Sequence, residues 1–167
     1  MNEFVIRRAT VADAGIIASH RAGMFRDMGQ VPPVLYEEFR ARAETWLING
    51  FRNGEYVGWL ATTVGEVIGG AGVQVRRVSP HPIKNANGEV SIAQGRQAIV
   101  INVFTEPKWR RRGVGQALMR QIIAWAHTER LDRLILHASE EGRKLYERLG
   151  FVMTNEMRYA GDLGAKE

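Results

Sequence analysis

The stretch 98–119 constrains the fold of this chain more than any other part. A nearly continuous apolar run, 98–104, leads into a basic turn with Gly113 and Gly115, and an amphipathic segment follows. This order predicts a buried strand, a turn and a helix. Glycine lets the backbone approach an anion closely, and the first amides of a helix have no internal acceptor. Because the helix dipole also favours negative charge there, the stretch predicts a site for a phosphate or diphosphate group.

The spacing within the turn separates it from other glycine-rich phosphate sites. Arg110-x-x-Gly113-x-Gly115 matches neither G-x-G-x-x-G nor G-x-x-x-x-G-K-[ST]. Taken alone, the segment is also compatible with a surface turn that carries a solvated arginine run. The spacing resembles the R/Q-x-x-G-x-G/A signature of the GCN5-related N-acetyltransferases, the GNAT superfamily, where this turn holds the pyrophosphate of acetyl-CoA.

Two further segments carry the same resemblance. The segment 103–107 reads Val-Phe-Thr-Glu-Pro, and 145–151 is similar to the L-Y-x-x-x-G-F that closes the core of that superfamily. The three matches occur in the family's order, so the resemblance covers most of the chain. It implies an α/β fold with a mixed, mostly antiparallel central sheet, splayed between two parallel strands and flanked by about four helices.

The resemblance implies transfer of an acetyl group from acetyl-CoA directly to a primary amine of a small molecule, an amino acid or a protein. Splayed strands would leave the backbone of Val103, Phe104 and Thr105 free to bind the pantetheine arm and to polarise the thioester carbonyl. Ser139 stands where the family often has Asn, and it is expected to cap a helix and contact the cofactor. The pyrophosphate would be held by Arg110, Arg111, Arg112, Gly113, Val114 and Gly115.

Tyr146, Glu106 and Asn102 are the candidate reactive and acceptor-binding residues. A phenol with a pKa of about 10 is protonated at neutral pH, so Tyr146 is the candidate general acid for the departing thiolate; packing alone is the alternative. Glu106, at the end of the central strand, is the candidate base; the alternatives are a surface residue before Pro107 and a group that only attracts a cationic acceptor. Asn102 is a candidate acceptor contact or a satisfied core amide. His81 and His137 lack supporting context, and a structural role is expected for both.

Length and composition favour one domain over 1–167, with a frayed tail at 160–167. The chain has no cysteine, which excludes disulfides, thiol catalysis and Cys-based metal sites, and its 4 histidines show no ligand-like spacing, so no metal is expected. No apolar run is long enough for a signal peptide or a membrane span. A cytoplasmic protein without a membrane partner is therefore expected.

The net charge of +5 and the sequence pI near 10.0 are compatible with a nucleic-acid partner. However, the densest basic cluster coincides with the glycine turn, where a phosphorylated cofactor accounts for it, so nucleic acid is not favoured. A different acyl-CoA and a non-catalytic acyl-CoA sensor remain alternatives, and the resemblance is compatible with a homodimer. The acceptor stays open: carboxylates that would select a cation, or form only a solvated face, are Glu37, Glu38, Glu44 and Glu89.

Periodicity and turn residues predict the order of the elements. Before the central strand, the chain reads as a strand at 4–8, a helix after a capping box at 10–13, a helix at 34–49, and strands at 56–63 and 67–75. Gly69, Gly70 and Gly72 indicate a bulge or a close backbone approach. Loop residues fill 76–96, with a small hairpin at Asn87-Gly88. This loop is expected to border the acceptor pocket or a subunit contact; the alternative is a loop without a role. The rest reads as a strand at 98–105, a helix from 115 to 130, a strand at 134–138, a helix from Ser139 to Gly150, and a last strand at 151–159.

Overall fold

The computed structural model describes residues 3–161 and 163–164. The chain divides into two compact units, Met1–His137 and Ala138–Glu167. Residues 162 and 165–167, which belong to the expected frayed tail, lie outside the described residues.

The Met1–His137 unit is built on a mixed β-sheet. Its strands are β1 (Val5–Arg8), β2 (Tyr56–Thr63), β3 (Glu66–Arg77), β4 (Pro82–Lys84), β5 (Val90–Ile92), β6 (Arg96–Thr105) and β7 (Arg133–Leu136). The main sheet has 5 strands in the order β1-β2-β3-β6-β7, and β4 pairs with β5 in a separate hairpin. All pairs of the main sheet are antiparallel except β6 with β7, which is parallel. The predicted fold class is confirmed.

Helices cover both faces of this sheet. They are α1 (Ala14–Asp27), α2 (Tyr36–Asn53) and α3 (Val114–Thr128). Leu60 of β2 lies in one buried cluster with Ile17 of α1 and Leu47 of α2. The ring of its neighbour Trp59 packs edge-on against Trp125 of α3, at 5.6 Å between centroids. Because successive strand residues point to opposite faces, α1 and α2 cover one face and α3 covers the other.

The glycines of β3 let neighbouring groups approach its backbone closely. The phenol ring of Tyr56, which is 2% exposed, occupies the space that a side chain at position 72 would need. The register between β3 and β6 also shifts between Gly70 and Gly72. Both predicted features, a bulge and a close approach, are therefore present in this strand.

Most predicted elements form within one or two residues of their expected bounds. The strand at 56–63 and the capping box at Thr10 and Asp13 are confirmed, and the small hairpin forms around Asn87-Gly88 as β4 and β5. The second helix extends further than predicted, to Asn53.

The strand predicted at 151–159 is wrong. Residues 151–160 form no helix or strand, and Val152, Met153 and Tyr159 are exposed. The prediction rested on the β-branched and aromatic composition of the segment, but strand propensity reflects packing on a half-buried, paired surface. This segment buries no such face, so its composition does not produce a strand.

The Ala138–Glu167 unit contains one helix within its described residues, α4 (Glu140–Arg148). Ser139 caps its start, because its Oγ accepts the backbone N–H of Gly142 at 3.2 Å. At its end Gly150 has a φ of +92°, and the N–H of Phe151 returns to the carbonyl of Tyr146 at 3.0 Å. The predicted helix and both of its end signals are confirmed.

Candidate functional site

The pairing of β6 with β7 stops before β6 ends. The last paired residues are Val100 and Leu136, although β6 continues to Thr105. On this side of β6, no described strand pairs with residues 101–105. Backbone groups along this stretch are therefore the ones that a bound molecule can use, as the prediction for Val103, Phe104 and Thr105 requires.

A β-bulge lies at the point where β6 leaves β7. Ile101 pairs with Gly72 and Phe104 with Gly70, so two residues of β6 oppose one residue of β3. Asn102, in the bulge, has a φ of +60°, which is uncommon for a residue other than glycine. The bulge bends β6 and increases its twist, so it contributes to the divergence from β7.

The basic turn after β6 leads into the N-terminus of α3. Gly113 caps this helix with a φ of +81°, and outside its own turn no heavy atom of the described residues lies within 4 Å of the position that its Cβ would take. The first helical bond runs from the N–H of Ala117 to Gly113, so the amides at 114–116 have no acceptor in the described part of the chain. Open space and free amides at one helix N-terminus fit a phosphate or diphosphate group.

Most cations of the turn form ion pairs inside the Met1–His137 unit. These pairs join Arg110 to Asp27 (2.6 Å), Lys108 to Glu66 (2.6 Å) and Arg112 to Glu3 (3.4 Å). Arg110 also donates from Nε to the carbonyl of Thr105 at 3.1 Å. Arg111 is exposed, has a φ of +63° and pairs with no described carboxylate. Arg110 therefore ties the turn to the end of β6, and Arg111 remains available to an anion.

Asn102 connects the bulge to α1. Its side chain is 3% exposed, and its Oδ1 accepts a hydrogen bond of 2.6 Å from Nη1 of Arg21. Its Nδ2 is buried without a partner among the described residues. Burial raises the pKa of the adjacent Tyr56 phenol to about 12, although Asn102 and the Arg21 charge lower it. Asn102 thus presents Arg21 at the bulge, a contact that the sequence analysis did not identify.

Glu106 lies beside a buried histidine that the sequence analysis also missed. Nε2 of His20 is 3.6 Å from Oε1 of Glu106, and the imidazole stacks on Phe104 with 4.8 Å between centroids. Neither ring nitrogen has a hydrogen-bond partner among the described residues. Burial lowers the pKa of His20 to about 4, so the ring is neutral at pH 7. The signal was available, because His20 lies three residues after Ile17 and therefore on the buried face of α1.

Tyr146 and Ser139 belong to the Ala138–Glu167 unit, and their roles remain sequence predictions. Burial raises the pKa of the Tyr146 phenol, so it is protonated at neutral pH. Its ring packs edge-on against Phe151, at 6.1 Å between centroids. The hydroxyl oxygen of Ser139 accepts the N–H of Gly142 that caps the helix, and its own proton remains available to donate.

Within residues 3–161 and 163–164, no group of three His, Asp or Glu side chains could hold a metal ion. In the same part of the chain, no helix combines the length and the apolar character that crossing a bilayer requires.

A family model described as the acetyltransferase (GNAT) family matches residues 21–151. The chain therefore belongs to the acetyltransferase (GNAT) family. The family assignment agrees with the splayed strands and the turn described above. No curated protein matches the chain.

Solved structures share the fold over nearly the whole chain. A GCN5-related N-acetyltransferase from Ralstonia eutropha JMP134 is 29% identical, with a TM-score of 0.81 over 93% of this chain and 97% of its own. A predicted acetyltransferase from Clostridium acetobutylicum, solved with acetyl-CoA, is 22% identical, with a TM-score of 0.76 over 95% and 96% of the two chains. Glucosamine-6-phosphate N-acetyltransferase from Arabidopsis thaliana is 19% identical, with a TM-score of 0.60 over 97% and 99%.

Proposed function

We propose that this chain transfers an acetyl group from acetyl-CoA to a primary amine of a small molecule, an amino acid or a protein. The observation that carries the proposal is the stretch of β6 beyond its pairing with β7, which is followed by the free amides of α3. An extended ligand with amide groups can replace the missing strand, and its phosphates can reach the helix N-terminus. Acetyl-CoA has both parts in one molecule.

In the proposed complex, the phosphates would lie at the turn and the pantetheine arm would lie along β6. The amides at 114–116, Gly113 and Arg111 would hold the diphosphate. Arg110 would support it while remaining attached to the carbonyl of Thr105. Backbone groups at 103–105 would bind the arm and polarise the thioester carbonyl, because preset donors stabilise the oxyanion that develops there.

The reaction removes two protons from the acceptor nitrogen and supplies one to the departing sulfur. The acceptor amine arrives as an ammonium ion, and Glu106 would take its proton directly or through water. The amine nitrogen then attacks the carbonyl carbon of the thioester, the C–N bond forms and the C–S bond breaks. Tyr146 would give its proton to the departing sulfur, and the resulting phenolate would take the second proton of the acylated nitrogen, directly or through water. The products are the N-acetyl amine and CoA.

Calorimetric titration with acetyl-CoA, CoA and 3′-dephospho-CoA tests the cofactor site. We expect binding by the wild type and a loss of about 10-fold or more in affinity for Arg110→Ala, because the variant removes the bonds to Asp27 and Thr105 that hold the phosphate-binding turn, and a charge-assisted bond contributes about 1.5–3 kcal/mol. Arg120→Ala, at an exposed position in α3, is the matched control and should bind like the wild type. Absence of binding to all three ligands would reject the proposed function.

Tyr146→Phe separates catalysis from binding. The variant keeps the ring that packs on Phe151 and removes only the proton donor. We expect unchanged affinity for acetyl-CoA and a fall in kcat of about 10²-fold or more, because a positioned general acid contributes that much. An unchanged kcat would exclude Tyr146 as the acid. A wild-type protein that binds acetyl-CoA and acetylates no amine would instead favour the non-catalytic sensor.

A further inference from the structure

Arg21 carries a positive charge that the described protein does not neutralise. It lies on α1 and is half-buried. Its one hydrogen bond to a described residue is the 2.6 Å contact from Nη1 to Oδ1 of Asn102, which is a neutral acceptor. No described carboxylate lies within ion-pair distance of the guanidinium, in contrast to Arg40, which bridges Glu37 and Glu44.

The surroundings of Arg21 strengthen the attraction of its unpaired charge for an anion. The guanidinium carbon lies 5.0 Å from the ring centroid of Phe25 and 6.0 Å from that of Phe39. Desolvation lowers the pKa of Arg21, yet an arginine stays charged at neutral pH. A partly desolvated cation favours an anion more strongly than a solvated one does. Its remaining N–H groups, which have no acceptor among the described residues, can form the two parallel bonds that a carboxylate accepts.

The position of Arg21 relates this charge to the proposed reaction. Its partner Asn102 is the bulge residue at which β6 leaves β7, immediately before the backbone at 103–105. Glu106 directly follows that backbone stretch, and its carboxylate lies 3.6 Å from His20 of α1. An acceptor near this stretch would thus meet a cation at its start and a carboxylate at its end.

We propose that Arg21 binds a carboxylate of the acceptor, so that the substrate is an amine that also carries a carboxylate, as a free amino acid does. This inference rests on the proposed function. A carboxylate fits better than a phosphate dianion, because one cation balances one negative charge. The described ionisable group that interacts electrostatically with Arg21 is the Tyr56 phenol, which is neutral at pH 7 and adds no second cation. Phe25 and Phe39 provide the apolar environment in which the Arg21–carboxylate pair is strongest.

Steady-state kinetics on matched acceptors test the inference. Each naturally occurring α-amino acid is compared with its carboxamide and with the decarboxylated amine, at saturating acetyl-CoA. For the amino acids that the wild type acetylates, we expect kcat/KM at least about 10-fold above that of the two analogues without a carboxylate, because a bidentate charged contact is lost with them. Equal values, or acetylation only of the amines that lack a carboxylate, would overturn the inference. Failure to acetylate any amino acid by protein that binds acetyl-CoA would also overturn it.

Arg21→Gln and Arg21→Lys locate the effect on this side chain. We expect Arg21→Gln to lose about 10-fold or more in kcat/KM on the amino acid and to leave the carboxamide unaffected, with Arg21→Lys in between. Arg8→Gln is the matched control. Arg8 also lies over an aromatic ring, with its guanidinium carbon 4.6 Å from the ring centroid of Trp59, but it belongs to β1 and not to α1. An equal loss on amino acid and carboxamide in Arg21→Gln would assign Arg21 a structural role only. The wild-type comparison needs no variant and stands even where a variant fails to fold.

Acetyl-CoA titration distinguishes failure of this inference from failure of the proposed function. Arg21→Gln should bind acetyl-CoA with the affinity of the wild type, since the cofactor contacts belong to β6 and the turn. If the wild type binds no acetyl-CoA, the proposed function is rejected, and this inference with it. If it binds acetyl-CoA and the carboxylate gives no advantage, only the inference about Arg21 is rejected.

Discussion

His20 makes the stability of this protein depend on pH in a defined window. The ring is 3% exposed, and burial lowers its pKa from 6.5 to about 4. Between these values the unfolded chain binds a proton that the folded protein does not, so the free energy of unfolding falls as the pH falls from 6.5 towards 4. The contribution is complete above pH 6.5. At pH 4.5 linkage gives a loss of about 2.5 kcal/mol relative to pH 7.5.

Urea unfolding at pH 7.5, 6.5, 5.5 and 4.5 measures this loss, with circular dichroism as the probe. Other groups also titrate in this range, so the test is the difference between the wild type and His20→Phe, which keeps an aromatic ring against Phe104. We expect the wild type to lose about 2.5 kcal/mol more than the variant between pH 7.5 and 4.5. Any loss of stability that His20→Phe causes equally at every pH cancels, because only the change between pH 7.5 and 4.5 is compared.

The carboxylate of Glu106, 3.6 Å from Nε2, acts in the opposite direction because it favours the charged imidazole. Its side chain is 34% exposed, so solvent screens the attraction, and burial of the ring dominates. Parallel pH profiles of the wild type and His20→Phe would refute this reasoning. They would show that the Glu106–imidazolium pair fully offsets the burial of the ring.

Two further predictions concern packing and a backbone clamp. Gly72→Ala should lower the free energy of unfolding by about 1–3 kcal/mol, because its Cβ would collide with the buried ring of Tyr56. Gly15→Ala, in α1, faces only a flexible side-chain end and should be neutral or stabilising by up to about 1 kcal/mol, which urea titration of both variants checks. The carboxylate of Asp132 accepts backbone N–H groups just before and at the start of β6, at 3.0 and 2.8 Å. Asp132→Asn should therefore accelerate hydrogen exchange of these two amides and leave those of α3 unchanged, and equal protection in both proteins would contradict the clamp.

The sequence predicted the elements whose signals are local. The turn before α3 was predicted because Gly113 and its spacing from Arg110 act through adjacent backbone. The hairpin at Asn87-Gly88 and the cap at Ser139 were predicted for the same reason. In each case the residues that define the feature are neighbours in the chain, so no long-range contact had to be known.

The missed residues depend on contacts between distant parts of the chain. Arg21 and Asn102 are 81 positions apart, and only the packing of α1 against β6 brings them together. Asn102 was identified as unusual in an apolar strand, but its partner could not be read from that fact. His20 was identifiable as buried, whereas its contact with Glu106 was not. The strand predicted at 151–159 failed for a related reason. Its composition is typical of a strand, but a strand also needs a neighbouring strand and a face to bury.

The glycines of β3 also limit how this sequence can change over evolutionary time. A methyl group at position 69 would lie 2.8 Å from a backbone oxygen of Phe104, and one at position 70 would lie 2.9 Å from Leu60. A backbone atom cannot rotate away as a side chain does, so even the smallest replacement at Gly69 must displace a strand. Sequences that descend from this gene are therefore expected to change in the segments that flank β3 while position 69 keeps its glycine. A saturation-mutagenesis survey would find that position 69 tolerates the fewest substitutions.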